Sequence, residues 1–87
     1  MEVVLIEGTI IGIKEEELNT IYIVQTQDMH NYNCVTIKHL RENCKSFLNI
    51  NDRIIISGIC NWYTQSQTIL CKQIKYVLPK GSYNAKT

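Results

Sequence analysis

Hydrophobic and polar residues alternate along most of the chain, and this pattern predicts five β-strands. The alternating stretches are dominated by isoleucine, valine, threonine and tyrosine, which are the residue types that favour strands. Two glycines, Gly8 and Gly12, interrupt the first stretch and predict a bend there, because glycine inside a strand commonly marks a bulge or a barrel corner. The predicted strands cover residues 3–14, 20–27, 32–38, 53–60 and 68–77.

The period of the pattern changes after the third strand and predicts a single helix. Leu40, Cys44, Phe47 and Leu48 recur at intervals that place them on one helical face. This predicts a helix over residues 39–48, ended by the polar run at 49–52. The predicted order of elements is therefore β-β-β-α-β-β.

Length and composition indicate one globular domain. The chain has 87 residues, of which 45% are hydrophobic and 20% charged, so it has the apolar content needed for a core. We expect a domain over residues 1–78 and a flexible tail over residues 79–87, where Pro79 and Gly81 end the last strand. No apolar run approaches the length that spans a bilayer, and the first residues lack the features of a secretory signal. We therefore expect a cytoplasmic protein with no membrane contact.

Charge is unevenly distributed along the sequence. Residues 1–28 carry six acidic residues and one lysine, whereas residues 29–87 carry eight basic residues and two acidic ones. Such asymmetry can produce one basic face that meets phosphates, although the two halves can also mix on the surface of a small barrel. The acidic run Glu15–Glu17 lies in the connection after the first strand, and it suits a basic patch on a protein partner better than a phosphate.

The cysteines and acidic residues show no catalytic or metal-binding pattern. Cys34, Cys44, Cys60 and Cys71 have no Cys-x-x-Cys spacing, and neither histidine completes a zinc pattern. We expect the cysteines to be reduced and to pack as small hydrophobic residues. The sequence contains no phosphate-binding glycine loop and no nucleophile motif, so we predict a protein that is not an enzyme and uses no cofactor.

Three segments resemble the signatures of the oligonucleotide/oligosaccharide-binding fold, the OB-fold. Ile50–Gly58 is similar to its fourth strand, in which a turn ending in Asp leads into alternating apolar residues and then Gly; Ile6–Ile10 resembles its first strand; and Tyr22–Asp28 resembles its second. The resemblance implies an all-β protein, a five-stranded Greek-key OB-fold barrel with one helix between strands 3 and 4. An SH3-like barrel is the main alternative, but it would not need a helix at this point.

The resemblance also implies where a ligand would bind. OB-fold proteins bind oligonucleotides or oligosaccharides across strands two and three, framed by the loops between strands one and two and between strands four and five. Single strands are held there by stacking on aromatic side chains and by a cationic groove. Trp62 and Tyr63 lie in the predicted loop between strands four and five and are the first candidates for stacking.

Further candidates depend on which face of each strand points outward. If Val35 and Ile37 belong to the core, Tyr32 and Lys38 face outward on strand three. On strand five, Lys72 is a candidate for a phosphate contact.

The second strand can be placed in either of two registers. If Tyr22, Val24 and Thr26 point inward, then Ile23, Gln25 and Gln27 line the groove; with Ile21 and Ile23 inward, Tyr22 becomes a stacking residue. We favour the second register and include Tyr22 among the binding residues.

These observations lead to three hypotheses about function. The first is binding of single-stranded nucleic acid, DNA rather than RNA, in replication or repair. The second is a small accessory subunit that docks through its barrel on a larger replication, priming, helicase or repair protein. The third is an oligosaccharide-binding or toxin-like barrel, which reduced cysteines and the lack of an export signal disfavour. A homodimer through a strand edge is compatible with the first two.

Overall fold

Five strands form a closed barrel with one helix between the third and fourth strands. The structure, a computed structural model, describes residues 2–60 and 67–77. The barrel order is β1-β2-β3-β5-β4, with β3 and β5 parallel and every other pair antiparallel. This architecture confirms the predicted barrel. The elements are β1 (Glu2–Glu15), β2 (Thr20–Gln25), β3 (Asn31–Thr36), α1 (Lys38–Lys45), β4 (Arg53–Cys60) and β5 (Thr68–Tyr76).

The first strand is long because it serves two neighbours. Its first half pairs with β4 and its second half with β2, and Thr9 pairs with both strands. The pairing with β2 is irregular between Ile10 and Gly12, which confirms the bend predicted from the glycines. At Gly8 a Cβ atom would lie 2.5 Å from the carbonyl oxygen of Gln25. Only glycine therefore lets the two backbones approach this closely at the bend.

The core is built from the inward-facing residues of all five strands. Alternate residues of β2 and β4 are fully buried, as the two-residue period of a strand requires. The largest of the fully buried side chains are Tyr22, Ile10, Ile54, Ile56 and Ile69. The removal of this apolar surface from water provides the main stabilisation of the barrel.

All four cysteines lie in this core. Cys34, Cys44, Cys60 and Cys71 are buried and free, which confirms that they pack as small hydrophobic residues. Burial raises the pKa of the Cys44 thiol to about 11. Hydrogen bonding to Cys34, together with burial, also raises the pKa of Cys71. At neutral pH both thiols are therefore protonated and poor nucleophiles.

The helix covers one end of the barrel. It is shorter than predicted, but the predicted hydrophobic stripe is confirmed: Cys44 and Leu48 are buried, and Leu40 and Phe47 pack against the core. Phe47 and Leu48 follow the last helical residue in a turn, where the N–H of Leu48 still donates to the carbonyl of Cys44 over 2.9 Å. The hydroxyl of Tyr76 donates to the carbonyl of Phe47, and the two rings meet edge to face.

Two turns are fastened by side chains. The backbone N–H of Asn49 donates to Asp52 Oδ2 over 2.8 Å in the turn between α1 and β4. In the turn between β2 and β3 the Thr26 hydroxyl donates to Asp28, and this bond lowers the pKa of the Asp28 carboxyl. Within the described residues, no helix is long and apolar enough to cross a membrane.

Candidate nucleic-acid interface

An aliphatic surface covers the outside of β2, β3 and β5. Because Tyr22 and Val24 face the core, the residues that alternate with them, Ile21, Ile23 and Gln25, face outward. Strand pairing places Ile21 opposite Val35, and Val35 beside Leu70 on the parallel strand β5. We call Ile21, Ile23, Val35 and Leu70 the aliphatic band; each is half-buried.

Three amide side chains extend this surface toward the turn between β2 and β3. Gln25 pairs with Asn31, and Asn33 pairs with Ile23 of the aliphatic band. Asn31 and Asn33 are exposed, and Gln25 is half-buried. None of the three amide groups is hydrogen bonded to another residue in the parts of the chain described, 2–60 and 67–77. We call Gln25, Asn31 and Asn33 the amide patch.

Lysines lie toward the opposite end of the surface. The parallel strands β3 and β5 both run from polar residues through the aliphatic band toward a lysine: Lys38 follows β3, and Lys72 lies two residues after Leu70. Both lysines are exposed, and no described carboxylate pairs with either. Lys72 is the extra residue of a bulge, because Cys71 and Gln73 pair with the consecutive residues Gly58 and Ser57. Lys72 faces outward as strict alternation from Cys71 requires, and the bulge places the next residue, Gln73, on the exposed side as well.

The backbone of Lys38 has an unusual conformation. Its φ angle is 53°, in the left-handed region that costs a residue with a Cβ about 1–2 kcal/mol. Ile37 before it caps α1 without a side-chain hydrogen bond. Lys38 also lines an open groove of about 630 Å³, together with Leu18, Ile37 and other residues.

The prediction that Tyr22 faces outward is wrong. Tyr22 is 1% exposed and lies in the core, so it cannot stack on a ligand. Burial raises the pKa of its phenol to about 12. Val24 is buried with it, whereas Ile21 and Ile23 face outward. The other register, in which Ile23 and Gln25 line the groove, is the one observed.

The predicted faces of the third strand are also reversed. Cys34 and Thr36 point into the barrel, and Val35 is on the outside. Tyr32 shares the inward face, is half-buried and packs against the core, so the reason for expecting it to face outward does not hold. The expected exposure of Lys38 is confirmed, but it belongs to α1 and not to β3.

Trp62 and Tyr63, the predicted stacking residues, fall between β4 and Gln67 in the sequence and lie outside the described residues. Gln67 is fixed against β3, since the backbone N–H of Asn33 donates to its carbonyl over 2.8 Å. The last residue before β5 is thereby held beside the amide patch.

The exposed loop after β1 is acidic. The Glu15 carboxyl accepts a hydrogen bond from the Thr20 hydroxyl over 3.0 Å, and this bond, aided by Lys45 and Arg41, lowers its pKa. Arg41 also binds the carbonyl of Glu16 over 3.0 Å. Arg41 is therefore held by these contacts, whereas Lys38 and Lys72 pair with no described carboxylate.

The asparagines of the amide patch are not among the predicted site residues. Gln25 lines the groove only in the register that is not favoured from the sequence, and the predicted outward residue of β3 is Tyr32 and not its neighbours Asn31 and Asn33. The available signal was the alternation Asn31, Asn33, Val35 against Tyr32, Cys34, Thr36. Within the described residues no group of three or more His, Cys, Asp or Glu side chains could hold a metal ion.

Comparison with solved structures identifies the barrel. A chain of the Schizosaccharomyces pombe Stn1–Ten1 complex superposes with a TM-score of 0.80 at 14% sequence identity, over 99% of this chain and 66% of that one. The barrel has the OB-fold. A small single-stranded DNA-binding protein from Streptomyces coelicolor superposes on the same OB-fold with a TM-score of 0.68 at 14% identity, over 92% of this chain and 96% of that one.

Sequence comparison adds nothing to this assignment. Neither a family model nor a curated protein sequence matches the chain. The OB-fold domain spans just under two thirds of the Stn1–Ten1 chain that it resembles. At 14% identity these likenesses show the fold, and the function has to be argued from the surface of this barrel.

Proposed function

We propose that this OB-fold domain binds single-stranded nucleic acid, DNA rather than RNA, on the outside of β2, β3 and β5. The observation that carries the proposal is the continuous surface formed by the amide patch, the aliphatic band and two lysines. It covers the face that OB-fold proteins use for oligonucleotides. The two similar structures support it, since one is named as a single-stranded DNA-binding protein.

The chemistry of the surface suits a single strand. Bases can lie on the apolar side chains of the aliphatic band, and Lys38 and Lys72 can pair with phosphates. Trp62 and Tyr63 are proposed to stack on further bases, which is worth about 1–3 kcal/mol per base. This role is binding without catalysis. Four buried free cysteines are compatible with the reducing cytoplasm that we propose as its location.

Fluorescence anisotropy tests the proposal directly. A labelled oligo-dT of about 20–30 nucleotides, several OB-fold site sizes long, is titrated with the purified chain at low and near-physiological salt, with a duplex of the same length as control. We expect saturable binding of the single strand only, and weaker binding in Trp62→Ala and Lys72→Ala. Equal affinity for the duplex, or no binding at low salt of either oligo-dT or a mixed-sequence single strand, would contradict the proposal.

A second candidate function, docking on a larger replication or repair protein, is favoured by the first half of β1. Val3 is 84% exposed and Leu5 is 74% exposed, on a stretch that pairs with β4 but not with β2. Among residues 2–60 and 67–77 no strand pairs with the other edge of this stretch, and exposed apolar side chains beside such an edge are typical of interaction surfaces. The Stn1–Ten1 structure is a complex by its name, which supports this role.

Co-purification from the source cells tests the docking role. We expect the wild-type chain, but not Leu5→Glu, to retain one stoichiometric partner. Thr9→Glu, a change to glutamate elsewhere on β1, is the control for charge alone. If the chain associates with itself through this surface, light scattering would show twice the monomer mass, and Leu5→Glu would return the mass to that of the monomer. A monomer that retains no partner would contradict the docking role.

A further inference from the structure

The described outward residues of β2 and β3 lack the groups on which unselective single-strand binders depend. Such proteins combine aromatic platforms with a cationic groove. The outward residues of β2 and β3 are neither aromatic nor charged. They are Ile21, Ile23, Gln25, Asn31, Asn33 and Val35.

Amide side chains are able to recognise the edge of a base. Each amide carries two N–H donors and one carbonyl acceptor side by side. Asparagine and glutamine form paired hydrogen bonds with the N6 and N7 atoms of adenine, and the unstacked bases of single strands expose these edges. The cationic and apolar parts of the surface cannot distinguish one base from another in this way.

The amide patch is arranged for this task. Its three amides have no hydrogen-bonding partner among residues 2–60 and 67–77, so no described contact has to break when a base arrives. Asn31 and Asn33 are two residues apart on one strand and face the same side, so each has room for a base of its own. Gln25, opposite Asn31, can bind the same base as Asn31.

We propose that the amide patch makes the domain selective for adenine-containing single strands by hydrogen bonding to the N6 and N7 atoms of adenine. The inference rests on the proposed binding function and adds the determinant of specificity. Binding then depends mainly on base contacts and little on phosphates. Each phosphate contact on a single strand adds about 0.7 to the slope of log K against log salt. With Lys38 and Lys72 as the described contacts, the slope is expected to be near 1–2.

Modified bases isolate the proposed contact. Anisotropy titrations measure the affinity of the full chain for three labelled strands. These are a mixed-sequence strand, the same strand with every adenine replaced by 7-deazaadenine, and oligo-dT. Removal of N7 leaves base pairing and ring area intact, so ordinary stacking is retained. We expect affinity for the 7-deaza strand to fall about 10-fold, and affinity for oligo-dT to be at least as low.

Matched variants assign the selectivity to the patch. Asn33→Ala and Asn31→Ala should remove the preference for adenine, so that the natural and 7-deaza strands bind each variant with equal affinity. Asn33→Gln should restore part of the preference. Gln73→Ala, which removes an exposed amide opposite Ser57, should change nothing. Lys72→Ala should weaken binding to all three strands alike and lower the salt slope.

The outcomes separate this inference from the proposed function. Equal affinities for the natural and 7-deaza strands, or selectivity that survives Asn33→Ala and Asn31→Ala, overturn the role of the amide patch and leave single-strand binding intact. If none of the strands binds at low salt, the binding function itself fails and the inference fails with it.

Discussion

Arg41 on α1 donates a hydrogen bond from Nε to the hydroxyl of Thr20, the first residue of β2, over 2.9 Å. The same hydroxyl donates to Glu15 Oε1 over 3.0 Å, and the Thr20 carbonyl accepts a bond from the Thr36 hydroxyl over 2.8 Å. The helix, the end of β1 and the strands β2 and β3 are therefore joined through one buried threonine. This connection fixes the base of the acidic loop relative to the helix.

Arg41→Ala should destabilise the barrel. The Arg41 side chain is only 17% exposed, and a hydrogen bond to a charged group is worth about 1.5–3 kcal/mol. We expect the free energy of unfolding, measured by urea denaturation, to fall by about that amount. Lys45→Ala is the control, since Lys45 is 4.0 Å from the same Glu15 carboxylate but more exposed, and its loss should cost less than about 1 kcal/mol. Equal losses in the two variants would contradict this role for Arg41.

Glu15 should contribute to stability at neutral pH and lose its contribution in acid. The hydrogen bond from Thr20 lowers the pKa of Glu15 below its usual 4.5, so the folded state favours the ionised carboxyl. A group with a lowered folded pKa stabilises above its unfolded pKa, and that stabilisation disappears as pH falls through the folded value. We expect Glu15→Gln to be less stable than wild type at pH 7, with the difference shrinking below pH 4.5. Urea midpoints across pH test this, and a constant difference would exclude the linkage.

Tyr22→Phe should leave nucleic-acid binding unchanged. The ring is buried, so its hydroxyl lies away from the outer surface. Its raised pKa of about 12 predicts a late phenol ionisation in the near-ultraviolet titration of wild type that is missing in the variant. Tyr22→Ala, in contrast, should cost about 3–5 kcal/mol of stability through loss of core packing. A large fall in oligo-dT affinity for Tyr22→Phe would restore Tyr22 as a binding residue.

Gly58→Ala should be far more damaging than Gly12→Ala. A Cβ at Gly58 would lie 2.5 Å from the carbonyl oxygen of Leu70, which belongs to the paired backbone of β5. At Gly12 the nearest atom is the Cδ1 of Ile23 at 3.2 Å, the movable end of a side chain. We expect a loss of about 1–3 kcal/mol or more for Gly58→Ala and less than 1 kcal/mol for Gly12→Ala. Thermal denaturation distinguishes these outcomes, and the reverse order would show that the strands are spaced differently.

Lys38→Gly should stabilise the fold while weakening binding. Glycine adopts the φ of 53° found at this position without the cost of a Cβ, so stability should rise by about 1 kcal/mol. Loss of one phosphate contact should lower oligo-dT affinity by up to about 5-fold, because an exposed ion pair is worth at most about 1 kcal/mol. Lys75→Ala, which removes an exposed lysine from β5, is the control for general charge. If stability and affinity fall together, Lys38 has a structural role instead.

The fold could be predicted from the sequence because the order of elements and the spacing of apolar residues are local properties. All five strands and the helix were anticipated close to their observed ends. The outward faces of β2 and β3 could not be predicted in the same way, because both faces of these strands carry residues that suit a core. Ile21 and Ile23 compete with Tyr22 and Val24, and Val35 competes with Cys34. Which set is buried depends on the pairing with β1 and β5, and the alternation alone does not contain that information.

The bulge at Lys72 is a second feature beyond the reach of a sequence pattern. Strict alternation from Ile69 and Cys71 would bury residue 73, yet Gln73 is exposed and Ile74 is buried. The shift arises from the register of β5 against β4. It is a property of two strands together, and neither strand predicts it alone.

The pairing of β1 with β4 also determines when the barrel can close. Glu7 pairs with Ile55, so the first strand has to wait for a segment made much later in the chain. At the usual rate of synthesis of about 5–20 residues per second, this wait lasts about 2–10 s on the ribosome. Folding that depends on such distant contacts is slow. Throughout that interval the apolar residues Val3 and Leu5 of the nascent chain are open to chaperones, and the first strand is the segment that we expect chaperones to hold.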